Sequence, residues 1–120
     1  MKIVFTTSGN TLFSQLDTNF GRATSFLVYD MNDNSYEVIS NEKNLNAAQG
    51  AGIQSAESVV RSGAKVVITG NCGPKACRVL NSAGVKVYKS DAPTIIAALG
   101  HYRAGHLDEI QTSDTLGHQV

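Results

Sequence analysis

Val66-Val67-Ile68-Thr69 runs straight into Gly70-Asn71-Cys72-Gly73-Pro74 and then into a helix-forming stretch from Lys75 to Ala83. This junction constrains the fold more than any other feature of the chain. A short run of β-branched residues reads as a buried strand. Pro74 suits the first position of a helix, where a missing N–H costs nothing. Gly70 and Gly73 let the backbone turn sharply and come close to another group, with Asn71 or Gly73 as the N-cap. The N–H groups at such a helix start face whatever lies in front of the loop, which is a generic anion site at a strand end. A Gly-x-x-Gly-Pro loop alone is more often a plain strand-to-helix turn than a binding loop.

A chain of 120 residues is expected to form one domain, and it buries roughly two-thirds of its unfolded surface. Ten Lys and Arg balance ten Asp and Glu. That argues against non-specific nucleic-acid binding, which needs clustered positive charge; a small local basic patch stays open. No run reaches the length of a membrane span. Met1-Lys2-Ile3-Val4-Phe5 is too short an apolar stretch for a signal peptide and reads as the first strand of a cytoplasmic protein. There the two cysteines are expected as reduced thiols. The chain shows no internal repeat, low-complexity tract or linker.

Lys2 to Thr7 reads as a strand, Ser8-Gly9-Asn10-Thr11 as a turn, and Phe13 to Asp17 as an irregular connection. Ser25 to Asp30 is a second strand, Met31 to Ser35 a hairpin turn, and Tyr36 to Ser40 a third strand antiparallel to the second. Asn41 to Asn46 is polar and without period. A helix then puts Ile53, Ala56, Val59 and Val60 on one face and ends at Ser62-Gly63. Lys65 to Thr69 is the fourth strand. The next helix places Ala76, Val79, Leu80 and Ala83 on one side, and Val85 to Lys89 is the fifth strand. Pro93 opens a third helix with Ile95, Ile96 and Leu99 inward, weakened at its end by Gly100 and Gly105. From Gln111 the tail is polar and expected to fray. The order β-β-β-α-β-α-β-α makes strands four and five parallel through a right-handed crossover. The class is α/β, a mixed sheet with helices on both faces.

Asn19-Phe20-Gly21-Arg22-Ala23 before a strand ending Tyr29-Asp30, then Gly50-Ala51-Gly52-Ile53, then Val67-Ile68-Thr69-Gly70 with Gly73-Pro74-Lys75-Ala76, then Ala83-Gly84-Val85-Lys86-Val87-Tyr88, form an ordered set. In that set the chain resembles the dinitrogenase iron–molybdenum cofactor-binding family. The resemblance covers a single domain, residues 1–110, and leaves 111–120 as a polar C-terminal tail. It implies a three-layer α/β/α, ribonuclease-H-like fold with a five-stranded mixed sheet of order 3-2-1-4-5, strand two antiparallel. Small stand-alone chains of the family, known from sulphate-reducing bacteria, imply a molybdenum–copper–sulfide cluster as the bound group, with the iron–molybdenum cofactor as the alternative. Some members have a His just before the Gly-Ala-Gly turn. This chain has Gln49, which offers no imidazole for a metal bond.

On that topology strands one, three, four and five share one direction. One edge then collects Ser8 to Asn10, Arg22, Gln49 to Ile53, Gly70 to Pro74, and Ser90-Asp91. Ligands of open α/β sheets bind outside the carboxyl ends of the strands where connections diverge, here between strands one and four. The candidate cofactor-binding residues are therefore Ser8, Asn10, Arg22, Gln49, Gly50, Ala51, Gly52, Ile53, Asn71, Cys72, Gly73 and Pro74. They bring glycines, amides, one guanidinium and two helix starts, and no carboxylate cluster. That suits a compact anion. A thiomolybdate-type cluster is such an anion, and its sulfides also pack on apolar walls such as Ala51 and Ile53. It would be held largely without covalent bonds to the protein.

Cys72 sits near a helix N-terminus, which would lower its pKa and let it touch copper; a solvent-facing turn residue is the equal alternative. Cys77, one turn into the helix, suits a small core residue. With two cysteines five apart and no further thiols, a self-sufficient zinc or iron–sulfur site is improbable. His101 and His106 share no good helical face for joint ligation and fit the cationic end of a helix, and His118 falls in the tail. Arg22 has Asp17 and Asp30 as alternative surface partners, and Lys89 is a softer candidate at the same rim. Strand one lacks the carboxylate a two-metal nuclease needs, and no phosphate loop or nucleophile–base signature is present. The sequence therefore reads as a non-enzymatic cytoplasmic protein that carries a molybdenum-containing metal–sulfur cluster for storage, transfer or assembly. Its partners would be the cluster and a protein in transfer or regulation, with no nucleic acid and no membrane. A metal-free regulatory interaction module is the remaining alternative.

Overall fold

β1 (Lys2–Thr7) is the axis of the sheet, and Ile3 to Thr7 are all buried, as a strand covered on both faces requires. It pairs antiparallel with β2 (Ser25–Asp30), Val4 opposite Val28, and parallel with β4 (Val66–Thr69), Val4 opposite Val67. β3 (Ser35–Ser40) pairs antiparallel with β2 through the hairpin. β5 (Lys86–Lys89) pairs parallel with β4. In this computed structural model residues 1–46 and 50–111 are described; Gln49 and the tail from Thr112 on, His118 included, lie outside the described residues.

Among the described residues the sheet has six strands rather than the expected five, in the order β3-β2-β1-β4-β5-β6. The added strand, β6 (Asp108–Ile110), pairs antiparallel with β5, Tyr88 opposite Glu109. Three residues are too few to show a period of two, so only the pairing reveals it.

Successive side chains of β1 point to opposite faces, and each face carries its own core. On one, Val4, Val28, Val67 and Val87 pack with Ala56 and Val59 of α2 (Ala51–Arg61) and with Ala76, Cys77 and Leu80 of α3 (Pro74–Ser82). On the other, Ile3, Phe5, Leu27 and Ile68 pack with Ile95, Ala98 and Leu99 of α4 (Ile95–Arg103) and with Leu16. Truncating a fully buried leucine such as Leu80 in so close-packed a layer costs about 2–5 kcal/mol.

Two helices differ from the sequence reading. α4 starts after Thr94, whose Oγ1 accepts from Ala97 N at 3.3 Å, and it runs on through Gly100 to Arg103. Ile96 is 41% exposed, not inward. α1 (Glu42–Leu45) forms where no period was visible. It is held by side-chain hydrogen bonds: the buried Asn41 amide donates to Ala23 O at 2.8 Å and to Ser55 Oγ at 3.0 Å. Asn44 donates to Asn41 Oδ1 at 2.7 Å and to Ser58 Oγ at 2.9 Å, which ties α1 to α2.

Between β1 and the 3-10 turn Phe20–Arg22 the chain crosses the carboxyl ends of β1 and β4. Asp17 N donates to Thr6 O at 2.8 Å, and Asp17 O receives Gly70 N at 3.4 Å. The Thr6 hydroxyl lies 3.0 Å from Asp17 O and 2.8 Å from the Thr69 hydroxyl. A Cβ on Gly70 would sit 2.6 Å from Thr18 Cα and 2.7 Å from Thr18 O, so the crossing fits only over glycine.

Candidate ligand-binding cleft

That crossing fills the crevice between β1 and β4 where the ligand was expected. The open space lies to one side, over the helix face that carries α2 and α3. There the 3-10 turn and the first turns of α2 and α3 surround a cleft of about 700 Å³, within the roughly 300–1,000 Å³ of small-ligand sites.

Each wall is set by local sequence. Gly50 is the N-cap of α2, and Gln54 N donates to Gly50 O at 2.8 Å as the first helical bond. The N–H groups of Ala51, Gly52 and Ile53 therefore have no intrahelical acceptor. On α3, Gly73 is the N-cap, Pro74 occupies the first turn, and Cys77 N donates to Gly73 O at 2.9 Å, leaving Lys75 and Ala76 N–H in the same condition. The 3-10 turn is capped by Asn19, whose Oδ1 accepts from Gly21 N at 3.1 Å. Small residues let these elements meet: a Cβ on Gly21 would lie 3.2 Å from Gly52 Cα, and one on Gly52 would lie 3.6 Å from Ala76 Cβ.

Of the residues read from the sequence, Arg22, Gly50, Ala51, Gly52, Ile53, Gly73 and Pro74 line this cleft together. Asn19, Gly21, Gln54, Lys75 and Ala76 line it as well and were missed. The available signal for Lys75 and Ala76 was their place in the first turn after Pro74. Ser8 and Asn10 do not line the cleft; they lie in the loop that packs toward α4, where Asn10 N donates to Ser14 Oγ at 3.1 Å. Asn71 is exposed outside the cleft and gives its carbonyl to Phe20 N at 2.9 Å. Gln49 lies outside the described residues.

Cys72 is a correction on two counts. It is neither a solvent-facing turn residue nor an acidified thiol. It is buried, and burial together with the neighbouring Cys77 thiol pushes its pKa up to about 12. Cys72 precedes the N-cap Gly73, and Cys77 is the fourth residue of α3. An apolar pair at these two positions is a hydrophobic staple that fixes how the chain enters the helix. Cys77 is a core residue, as expected.

Among the described residues, Arg22 and Lys75 are the only ionisable side chains on the cleft wall, and no carboxylate lines it. Among the same residues Arg22 forms no ion pair with Asp17 or Asp30. The Asp17 carboxyl is instead pushed above its ordinary value by burial, the opposite of what a paired cation would do. Lys89, Ser90 and Asp91 line a different cleft of about 450 Å³ with His101, His106 and Asp108. Among the described residues no group of three His, Cys, Asp or Glu side chains is placed to hold a metal ion, and no helix is long and apolar enough to cross a membrane.

The sequence profile of the dinitrogenase iron–molybdenum cofactor family matches residues 1–105. The apo form of the orange protein from Desulfovibrio gigas is 34% identical and superimposes with a TM-score of 0.87, covering 91% of this chain and 92% of that one. A NifB-like Thermotoga protein of the DUF35 family is 31% identical with a TM-score of 0.79, covering 90% and 91%. An uncharacterised protein of Methanocaldococcus jannaschii is 28% identical over 114 residues, 92% of each chain.

Proposed function

From the premise that this chain belongs to the dinitrogenase iron–molybdenum cofactor family, we propose that it is a cytoplasmic carrier whose cleft holds an anionic molybdenum-containing metal–sulfur cluster. The cargo we favour is a molybdenum–copper–sulfide cluster of the orange-protein kind, with the iron–molybdenum cofactor as the alternative. The role is storage, transfer or assembly, with hand-over to a protein partner, rather than turnover.

One observation carries this reading. The first turns of α2 and α3 and Arg22 line a single cleft that no carboxylate-bearing residue lines among the described residues. Helix N-termini attract anions through their unbonded N–H groups and through the macrodipole. Guanidinium adds a full charge with directional donors. Ala51, Ile53, Pro74 and Ala76 give the same cleft apolar surface on which polarisable sulfide can pack. A cluster seated there would be held by hydrogen bonds, charge and contact. Cys72 is no part of the proposal as a metal ligand, because its thiol is buried and stays protonated near neutral pH.

The test is reconstitution. Tetrathiomolybdate and Cu(I) are added to the purified chain and to Arg22→Ala, excess is removed by desalting, and the visible spectrum and Mo, Cu and Fe contents are recorded. A fixed Mo:Cu ratio that stays with the wild type, and is reduced in Arg22→Ala at unchanged thermal stability, supports the reading. No retained metal refutes the molybdenum–copper form; parallel loading with iron–molybdenum cofactor then decides between that cargo and a metal-free interaction module. Retention unaffected by Arg22→Ala removes Arg22 from the site.

A further inference from the structure

We infer that the cleft selects its cargo by charge number, with Lys75 as the second determinant beside Arg22. It would favour anions of two or more negative charges over a singly charged anion of the same shape. The inference rests on the cluster-binding reading above and deepens it.

The two cations come from separate elements. Arg22 closes the 3-10 turn and Lys75 is the second residue of α3, and both line the one cleft. The whole chain is neutral, with ten basic and ten acidic residues, yet among the described residues this wall holds two basic side chains and no acid. The positive charge is therefore local. The macrodipoles of α2 and α3 add roughly half a charge each at their N-termini, so an occupant meets an effective charge of about three. The side-chain oxygen of Asn19 is turned away to Gly21 N–H, so it does not oppose an anion with its lone pairs.

Apolar contacts with Ala51, Ile53 and Pro74 depend on the size and polarisability of the occupant and do not distinguish one negative charge from two. The two cations do. Each extra negative charge on an occupant of fixed shape gains another full interaction with the whole set. In a partly solvated cleft that is worth on the order of tenfold in affinity at low salt, and the gain shrinks as added salt shortens the Debye length.

Tetrathiomolybdate and tetrathioperrhenate are both tetrahedral tetrasulfides, one doubly and one singly charged. Binding of each to the full chain is measured by calorimetry at low and high salt. The variants are Lys75→Gln, Arg22→Gln, the double variant, and Lys75→Arg, each checked for unchanged melting temperature. The expected result is a preference of about tenfold for the dianion at low salt, reduced by each single neutral variant, reduced furthest in the double variant, where only the helix N-termini remain, and kept in Lys75→Arg. Equal binding of both anions overturns the charge-counting inference while leaving the cluster reading in place. A dianion preference that Lys75→Gln does not reduce removes Lys75 as a determinant. Binding of neither anion overturns the inference, and the cluster reading is then decided separately by loading with the iron–molybdenum cofactor.

Discussion

Replacing Gly70 by alanine tests the crossing that occupies the switch point of the sheet and leaves the open cleft to one side. The new Cβ would lie 2.6 Å from Thr18 Cα, 2.7 Å from Thr18 O and 3.0 Å from Thr18 C. These are backbone atoms, so no rotamer change relieves the overlap. The Thr18 backbone is itself fixed by Asp17 N to Thr6 O at 2.8 Å before it and Phe20 N to Asn71 O at 2.9 Å after it. Overpacking of this kind costs about 1–3 kcal/mol. Loss of one of those hydrogen bonds adds about 1 kcal/mol. Against this, alanine reduces the entropy of the unfolded chain, worth about 0.4–1 kcal/mol. The net expectation is about 2–3 kcal/mol of destabilisation, roughly 1–2 M off the urea midpoint at unchanged slope. Gly73→Ala is the matched control. Gly73 has φ −64°, and a Cβ there would meet nothing within 4 Å, so that change should cost only the N-cap preference for glycine over alanine, about 0.5–1 kcal/mol. Urea unfolding followed by circular dichroism reads both. Equal midpoints for Gly70→Ala and Gly73→Ala would refute the claim that the Thr18 crossing demands glycine.

Asn41→Ala should cost about 2–4 kcal/mol in chemical denaturation, because Ala23 O, Ser55 Oγ and the Asn44 amide lose a buried partner together; a cost below about 1 kcal/mol would mean that α1 is held by something else. The Cys72 thiol gives an alkaline signature. Its folded pKa of about 12 lies above the ordinary 9.0, so between those values the unfolded chain releases a proton that the folded chain retains. Stability should therefore be full below about pH 9 and fall by up to about 1.4 kcal/mol per unit as pH rises toward 12. Cys72→Ala should flatten that slope, and native Cys72 should react with a thiol reagent at pH 8 far more slowly than in the urea-unfolded chain.

Strands one and four were legible because Lys2–Thr7 and Val66–Thr69 are continuous runs suited to a sheet centre. The helix starts at Gly50–Ile53 and Gly73-Pro74 were legible for the same local reason, since glycine and proline at those positions have few other uses. What failed depended on contacts distant in sequence. β6 exists through its pairing with β5, and α1 through an asparagine–serine network; neither leaves a periodic trace. Ser8, Asn10 and Asn71 were expected at the switch point, but the Thr18 crossing occupies it. Lys75 was read only as part of the helix after Pro74, and the cleft that it lines together with Arg22 is what sets it apart. For Cys72 the dipole argument considered the helix end alone, whereas burial of the loop residue in the core, with the Cys77 thiol beside it, decides the matter.

The parallel pairing of β1 with β4 joins Ile3 to Val66, more than sixty positions apart. β1, β2 and β3 can zip up as a local meander, whereas closing that longer loop carries a greater entropic penalty. The Thr18 crossing requires Gly70, so it cannot form until β4 has docked. Arg22 lies before the closure point and Lys75 after it, and they meet only once it is made. On a ribosome the first half of the chain would thus emerge with one wall of the cleft and no opposite wall. Under the proposed function, cargo capture is then a late event, reserved for chains whose sheet centre is complete.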